Sequence, residues 1–158
     1  MNALHERTHM DGKGGKEEKM DITILLADDS KLVQAKFRLA LEKAGFQVIS
    51  ALDGKEGLSI AREKKPDLII LDVNMPGMDG WQVLRSLKIH PELRKIPVIM
   101  ATTADKIADI ERGFSLGAKE YVVKDEQLTR LVDKVEKVMA SQKPETKVEG
   151  SWVKKMFS

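Results

Sequence analysis

The chain has 158 residues, of which 27 are Lys or Arg and 25 are Asp or Glu, and it contains no cysteine. This length suits a single domain that buries a core without staples, and the missing thiols exclude a disulfide framework or a thiolate metal site. The small basic excess sits in a C-terminal tail, where Lys143, Lys147, Lys154 and Lys155 face only Glu145 and Glu149, so the globular part is near neutral and offers no single-signed field to nucleic acid.

Residues 1–20 mix charge, His and Gly without the apolar run of a secretory signal, and they predict a flexible extension in which His5 and His9 are spectators. No stretch approaches the roughly 20 apolar residues of a membrane helix, so a cytoplasmic protein without membrane insertion is expected. From Asp21 to about Ala140, short aliphatic runs alternate with amphipathic segments. The runs are 22–27 (ITILLA), 46–50 (FQVIS), 67–72 (DLIILD), 97–102 (PVIMAT) and 120–124 (EYVVK). Most are near-continuously apolar, as strands are when helices cover both faces of a parallel sheet.

The intervening helices show in their spacing and their stops. Ser30 is placed to cap a helix with Val33, Phe37, Ala40, Leu41 and Ala44 on one face, which Gly45 ends. Asp79 precedes Trp81, Val83, Leu84 and Leu87, and Leu128, Leu131, Val132, Val135, Val138 and Met139 repeat at helical spacing from about Asp125 to Ala140. A helix after each strand predicts a doubly wound α/β domain over 21–140. Beyond it, residues 141–158 are expected to open as a linker at Pro144 and to place Trp152, Val153, Met156 and Phe157 on a short amphipathic helix that packs on its own domain or docks on a partner.

Sheets of this class bind ligands at the carboxyl ends of their strands. Asp28 and Asp29 follow the first strand, Asp72 the third, Thr102 and Thr103 the fourth, and Lys124 the fifth. Each alone has an ordinary reading as a turn former, a strand threonine or a solvated charge. Together at one edge they do not. Two like charges about 5 Å apart repel by roughly 3 kcal/mol at an effective dielectric near 20, so three carboxylates ask for a cation. An all-oxygen set without histidine suits Mg²⁺ and not zinc. Once neutralised, one carboxylate can attack phosphorus to form an acyl phosphate, with a lysine and a threonine hydroxyl holding the phosphoryl oxygens.

The acidic pair in LLADDS, the loop LDVNMPGMDG, and the segments PVIMATT and GAKEYVVK stand in the order and spacing of a known family. Over Asp21 to about Ala140 the chain resembles the receiver domains of two-component response regulators, in particular the free-standing chemotaxis type. The resemblance implies a flavodoxin-like (βα)₅ fold with a five-stranded parallel sheet in the order 2-1-3-4-5. It implies that Asp72 is the phosphoacceptor, and that Asp28, Asp29, Asp72 and the backbone carbonyl of Asn74 hold Mg²⁺. Thr102, five residues past Pro97, resembles the hydroxyl that moves toward the phosphoryl group. Tyr121 resembles the aromatic that turns inward with it, and Lys124 the lysine paired to Asp72. Asn74 and Ala104 occupy the positions that tune phosphoryl lifetime.

The implied partners are a sensor histidine kinase or histidine phosphotransfer protein, a downstream protein target reading the face of helix four, strand five and helix five, and a phosphorylation-linked dimer; direct nucleic-acid binding is not expected. Lys106, Ile107 and Ile110 fall on that face. The chain departs from the family where Asp125 replaces the usual proline after Lys124, which predicts a trans peptide and a candidate cap for the last helix. An aspartyl phosphohydrolase is the enzymatic alternative, but Asn74 stands where its second acid belongs. The chemistry expected is therefore self-phosphorylation and self-dephosphorylation, not turnover of an external substrate.

Overall fold

A computed structural model describes residues 21–103, 107–124 and 128–148. The expected N-terminal extension (1–20), Ala104, Lys106, Asp125 and residues 149–158 with the Trp152 to Phe157 segment lie outside the described residues. The elements alternate as β1 (Thr23–Ala27), α1 (Lys31–Lys43), β2 (Gln47–Ala51), α2 (Gly54–Lys64), β3 (Leu68–Asp72), α3 (Gly80–Ile89), β4 (Val98–Thr102), α4 (Ile107–Ser115), β5 (Glu120–Val123) and α5 (Leu128–Val148). All the strand pairings are parallel, in the order β2-β1-β3-β4-β5. This is the flavodoxin-like arrangement expected.

Side chains of a strand alternate between faces, and here the two faces make two cores. Ile24, Leu26, Leu68, Ile70, Ile99 and Ala101 pack with Phe37 and Leu41 of α1 and with Leu131, Val135 and Val138 of α5. Leu25, Ala27, Ile69, Leu71, Val98 and Met100 pack with Leu58 and Ala61 of α2 and with Trp81, Leu84 and Leu87 of α3. Every residue of β3 is buried, because β3 lies between β1 and β4 with helices on both sides. The last residue of that strand is Asp72.

Local chemistry sets the helix starts. Ser30 Oγ accepts from the Val33 N–H at 3.2 Å, and Asp53 accepts from the Glu56 N–H at 2.8 Å. Asp79 and Gln82 form a reciprocal capping box at α3. Gly45, at φ 102°, turns the chain after α1. At the other end of the chain the expectation fails: α5 does not give way to a linker at Pro144 but runs on to Val148. Proline removes one backbone donor from a helix and clashes with the preceding turn, yet the backbone keeps helical geometry through it.

Gly80 is required by packing. It is the first residue of α3, its N–H donates to Val73 O at 2.9 Å, and a Cβ there would overlap the carbonyl oxygen of Asp72 and sit 2.9 Å from Val73 Cα. The helix start is thus pressed against the backbone that carries the buried acid. Gly80→Ala is expected to lose on the order of 3 kcal/mol in urea unfolding. Gly113→Ala, whose added Cβ would meet only side-chain atoms at 3.3 Å, is expected to lose less.

Candidate functional site

The strand register brings the sequence-distant polar residues together. Ala27 pairs with Leu71, so Asp28 and Asp72 end adjacent strands side by side. Asp72 pairs with Ala101 and Thr102 with Val123, which places Thr102 one residue past Asp72 and Lys124 one past Thr102's partner. One carboxylate oxygen from each of Asp28, Asp29 and Asp72 lies within 4.8 Å of the others. Asp28 and Asp72 are 0% and 1% exposed, whereas Asp29 is exposed.

Lys124 closes the group. Its Nζ lies 2.7 Å from Asp72 Oδ1 and 3.1 Å from Asp28 Oδ2, and its backbone N–H donates to Thr102 O at 2.8 Å. Asp72 Oδ1 also accepts from the Asn74 N–H at 3.2 Å, and Asp28 Oδ1 from the Ser30 N–H at 2.8 Å. Asp72 Oδ2 and Thr102 Oγ1 are buried without a hydrogen-bond partner. Asp28 Oδ2 has only the ion pair, without hydrogen-bond angles. Buried polar atoms are rarely left so. Two orphaned oxygens, and a third held only by an ion pair, at an acidic cluster mark room for an electropositive guest, and the all-oxygen donor set fits a hard divalent cation such as Mg²⁺.

The electrostatics follow from burial. Desolvation pushes the Asp72 carboxyl up from 3.8 to about 6; the Lys124 hydrogen bond opposes the rise, the charge of Asp28 adds to it, and the charge of Lys124 and the Asn74 N–H oppose it further. Burial works to lower Lys124, but its hydrogen bond to Asp72 and the charges of Asp72 and Asp28 outweigh this and hold it above its ordinary 10.5. One ammonium thus faces two buried acids, and Asp29 adds a third negative charge at the rim.

The remaining predicted residues divide. Asn74 sits just past Asp72, exposed at the mouth, and Thr103 is exposed where Thr102 is buried. Tyr121 does not join the carboxylates: it pairs with Met100 on β5, half-buried, with Phe114 edge-on at 6.1 Å. Lys134 Nζ lies 4.5 Å from its ring and donates to its carbonyl at 2.8 Å. Of the face assigned to output, Ile110 is half-buried. Gln34, absent from the sequence reading, is 7% exposed on the inner face of α1, and its amide reaches the carbonyls of Leu26, Asp28 and Ala51. The signal was its place in the stripe Gln34, Phe37, Leu41 at helical spacing.

A family model for the response regulator receiver domain matches residues 24–136. Among curated proteins, Protein PilH of Pseudomonas aeruginosa is 38% identical over 117 residues, covering 74% of this chain and 97% of PilH. The transcriptional regulatory protein HprR of Escherichia coli is 38% identical over 112 residues, 71% of this chain, but this chain spans only 49% of HprR. Among solved structures, the chemotaxis protein CheY4 of Vibrio cholerae superposes with a TM-score of 0.70 at 30% identity, over 74% of this chain and 98% of CheY4. The chain belongs to the receiver domains of two-component response regulators. Receiver domains bind Mg²⁺ at an acidic pocket. Among the described residues, no helix is long and apolar enough to cross a membrane.

Two measurements probe the strain in this site. Because the folded-state pKa of Asp72 is raised, folding favours its protonated form, so its unfavourable contribution is fully present above about pH 6 and fades as pH falls toward 3.8. Lys124 titrates far above this window. In EDTA, Asp72→Asn is expected to melt above the wild type at pH 7, by up to roughly 3 kcal/mol, with the gap narrowing at pH 5. Thr102→Val, which removes a partnerless buried hydroxyl at nearly constant shape, is expected to leave metal-free stability equal or raise it by about 1 kcal/mol.

Proposed function

We propose that Asp72 accepts a phosphoryl group from a phosphohistidine of a sensor histidine kinase or histidine phosphotransfer protein, and that the resulting change is read by protein contact. The observation that carries this reading is the division of labour on Asp72. Oδ1 is engaged by Lys124 and Asn74, while Oδ2 is buried but unpartnered. Oδ2 is the oxygen free to attack phosphorus. As the new O–P bond forms, the P–N bond of the donor breaks and the imidazole leaves with its electron pair.

Asp28, Asp29, Asp72 and the backbone carbonyl of Asn74 would hold Mg²⁺, which supplies charge neutralisation for the acids and the incoming phosphoryl oxygens. Lys124 keeps Asp72 ionised and turned toward the pocket before transfer, and afterwards is placed to follow the phosphoryl oxygens. Thr102 Oγ1, with no partner to break, is free to donate to one of them. Movement of Thr102 on β4 would be felt at Tyr121 on the neighbouring β5 and at its contacts with Phe114 and Lys134. The α4, β5 and α5 face is therefore the proposed output surface, whether toward a downstream protein or a second copy. Asn74, just past Asp72 and exposed, is the described residue proposed to tune the lifetime of the acyl phosphate, a role the resemblance also implies for Ala104, outside the described residues.

Incubation with Mg²⁺ and a small phosphodonor is expected to add the mass of one phosphoryl group, and Asp72→Asn is expected to add none. The absence of a mass gain in the wild type under every donor would overturn the reading. Millimolar Mg²⁺ alone is expected to raise the melting temperature, because it binds the folded site and relieves its repulsion. The rise should shrink in Asp29→Asn, which removes an exposed carboxylate without disturbing the core.

A further inference from the structure

Gln34 is a buried polar residue outside the acidic cluster. It sits on the second turn of α1, and its Nε2 lies 2.8 Å from Ala51 O, 3.0 Å from Leu26 O and 3.1 Å from Asp28 O. Two amide protons are shared among three carbonyls where β1 and β2 end.

The reason is geometric. Ala27 with Ala51 is the last pair of the β1–β2 ladder, and Asp28 N–H still donates to Ala51 O at 3.0 Å. There β2 turns away: the Leu52 N–H goes to the Glu56 carboxylate at 2.8 Å, and Asp53 caps α2. The carbonyl of Asp28 has lost its next ladder donor, and the Gln34 amide replaces it. That carbonyl belongs to the peptide joining Asp28 to Asp29, so its direction sets how the two acids leave the sheet. Asp28 is then held at its N–H by Ala51, at its carbonyl by Gln34 and at Oδ1 by the Ser30 N–H. Gln34 Oε1 is buried without a partner, so full hydrogen-bond satisfaction does not explain an amide at this place.

We infer that Gln34 is a positioning residue for the cation site: its amide locks the Asp28–Asp29 peptide so that both carboxylates converge with Asp72. This rests on the proposal that the cluster holds Mg²⁺. Outer residues that orient metal ligands typically contribute 10- to 100-fold in affinity. Gln34→Met keeps the length and removes the donor.

The test is calorimetric titration of the phosphate-free protein with MgCl₂, for wild type, Gln34→Met and Phe37→Leu. Phe37 lies on the same buried stripe of α1 and serves as a control for lost packing. Gln34→Met is expected to weaken Mg²⁺ binding about tenfold or more, while Phe37→Leu lowers the melting temperature and leaves affinity within twofold of wild type. Equal affinity in Gln34→Met and wild type overturns the inference, as does an equal loss in both variants. Wild type that takes up no heat-detectable Mg²⁺ and gains no melting temperature from it overturns instead the Mg²⁺ reading on which the inference stands. If Gln34→Met does not fold, Gln34→Asn, whose shorter amide cannot span the three carbonyls, is judged by the same comparison.

Discussion

The ammonium of Lys124 between two buried carboxylates is the constraint on which the rest depends. Asp28 and Asp72 are taken out of water at the ends of two adjacent interior strands, where an unpaired ionised acid would be costly by several kcal/mol. Lys124, 2.7 Å from one and 3.1 Å from the other, compensates part of that charge from the end of β5. One cation for two acids leaves the site net negative, and burial, with the charge of Asp28 adding to it, shifts the Asp72 carboxyl upward. The fold therefore holds a site that is incomplete by one or more positive charges, a deficit that fits a cation and on which the proposed phosphoryl transfer builds.

Holding such a site requires a rigid frame, and the surrounding backbone supplies it. Gly80 lets the start of α3 press on the Asp72 carbonyl, the Asp79–Gln82 box fixes that helix start, and Ser30 N–H and Gln34 fix Asp28 from two sides. Against this frame a few atoms are left unsatisfied: Asp72 Oδ2 and Thr102 Oγ1. Local departures from full satisfaction of this kind concentrate where a protein acts. Tyr121 lies off the cluster but on the strand next to Thr102, under Lys134 and beside Phe114, which connects the site to the outer surface through one ladder.

Much of this was legible in the linear chain. The five aliphatic runs fell within a residue or so of the strands, because strands buried on both faces have no polar alternation to blur them. Ser30 and Asp79 were readable as caps because cap chemistry is local. The end of α5 was not: Pro144 reads as a stop, yet the helix passes through it to Val148, since propensity is a weak prior against the local backbone context. Gln34 was missed for a related reason. On a helical wheel it is one polar residue among apolar ones, and only the convergence of three carbonyls from two strands explains it.

Residue order alone shows which residue types stand at the strand ends, and hence that acids, a hydroxyl and an ammonium share one edge of a parallel sheet. Periodicity and capping are properties of neighbours along the chain, so they survive in one dimension. Folding in three dimensions settled the rest: one lysine bridges two acids, and a glutamine from α1 closes the gap where β2 turns away. Those outcomes depend on strand register and on distances of about 3 Å between residues far apart in the chain, which no local pattern encodes.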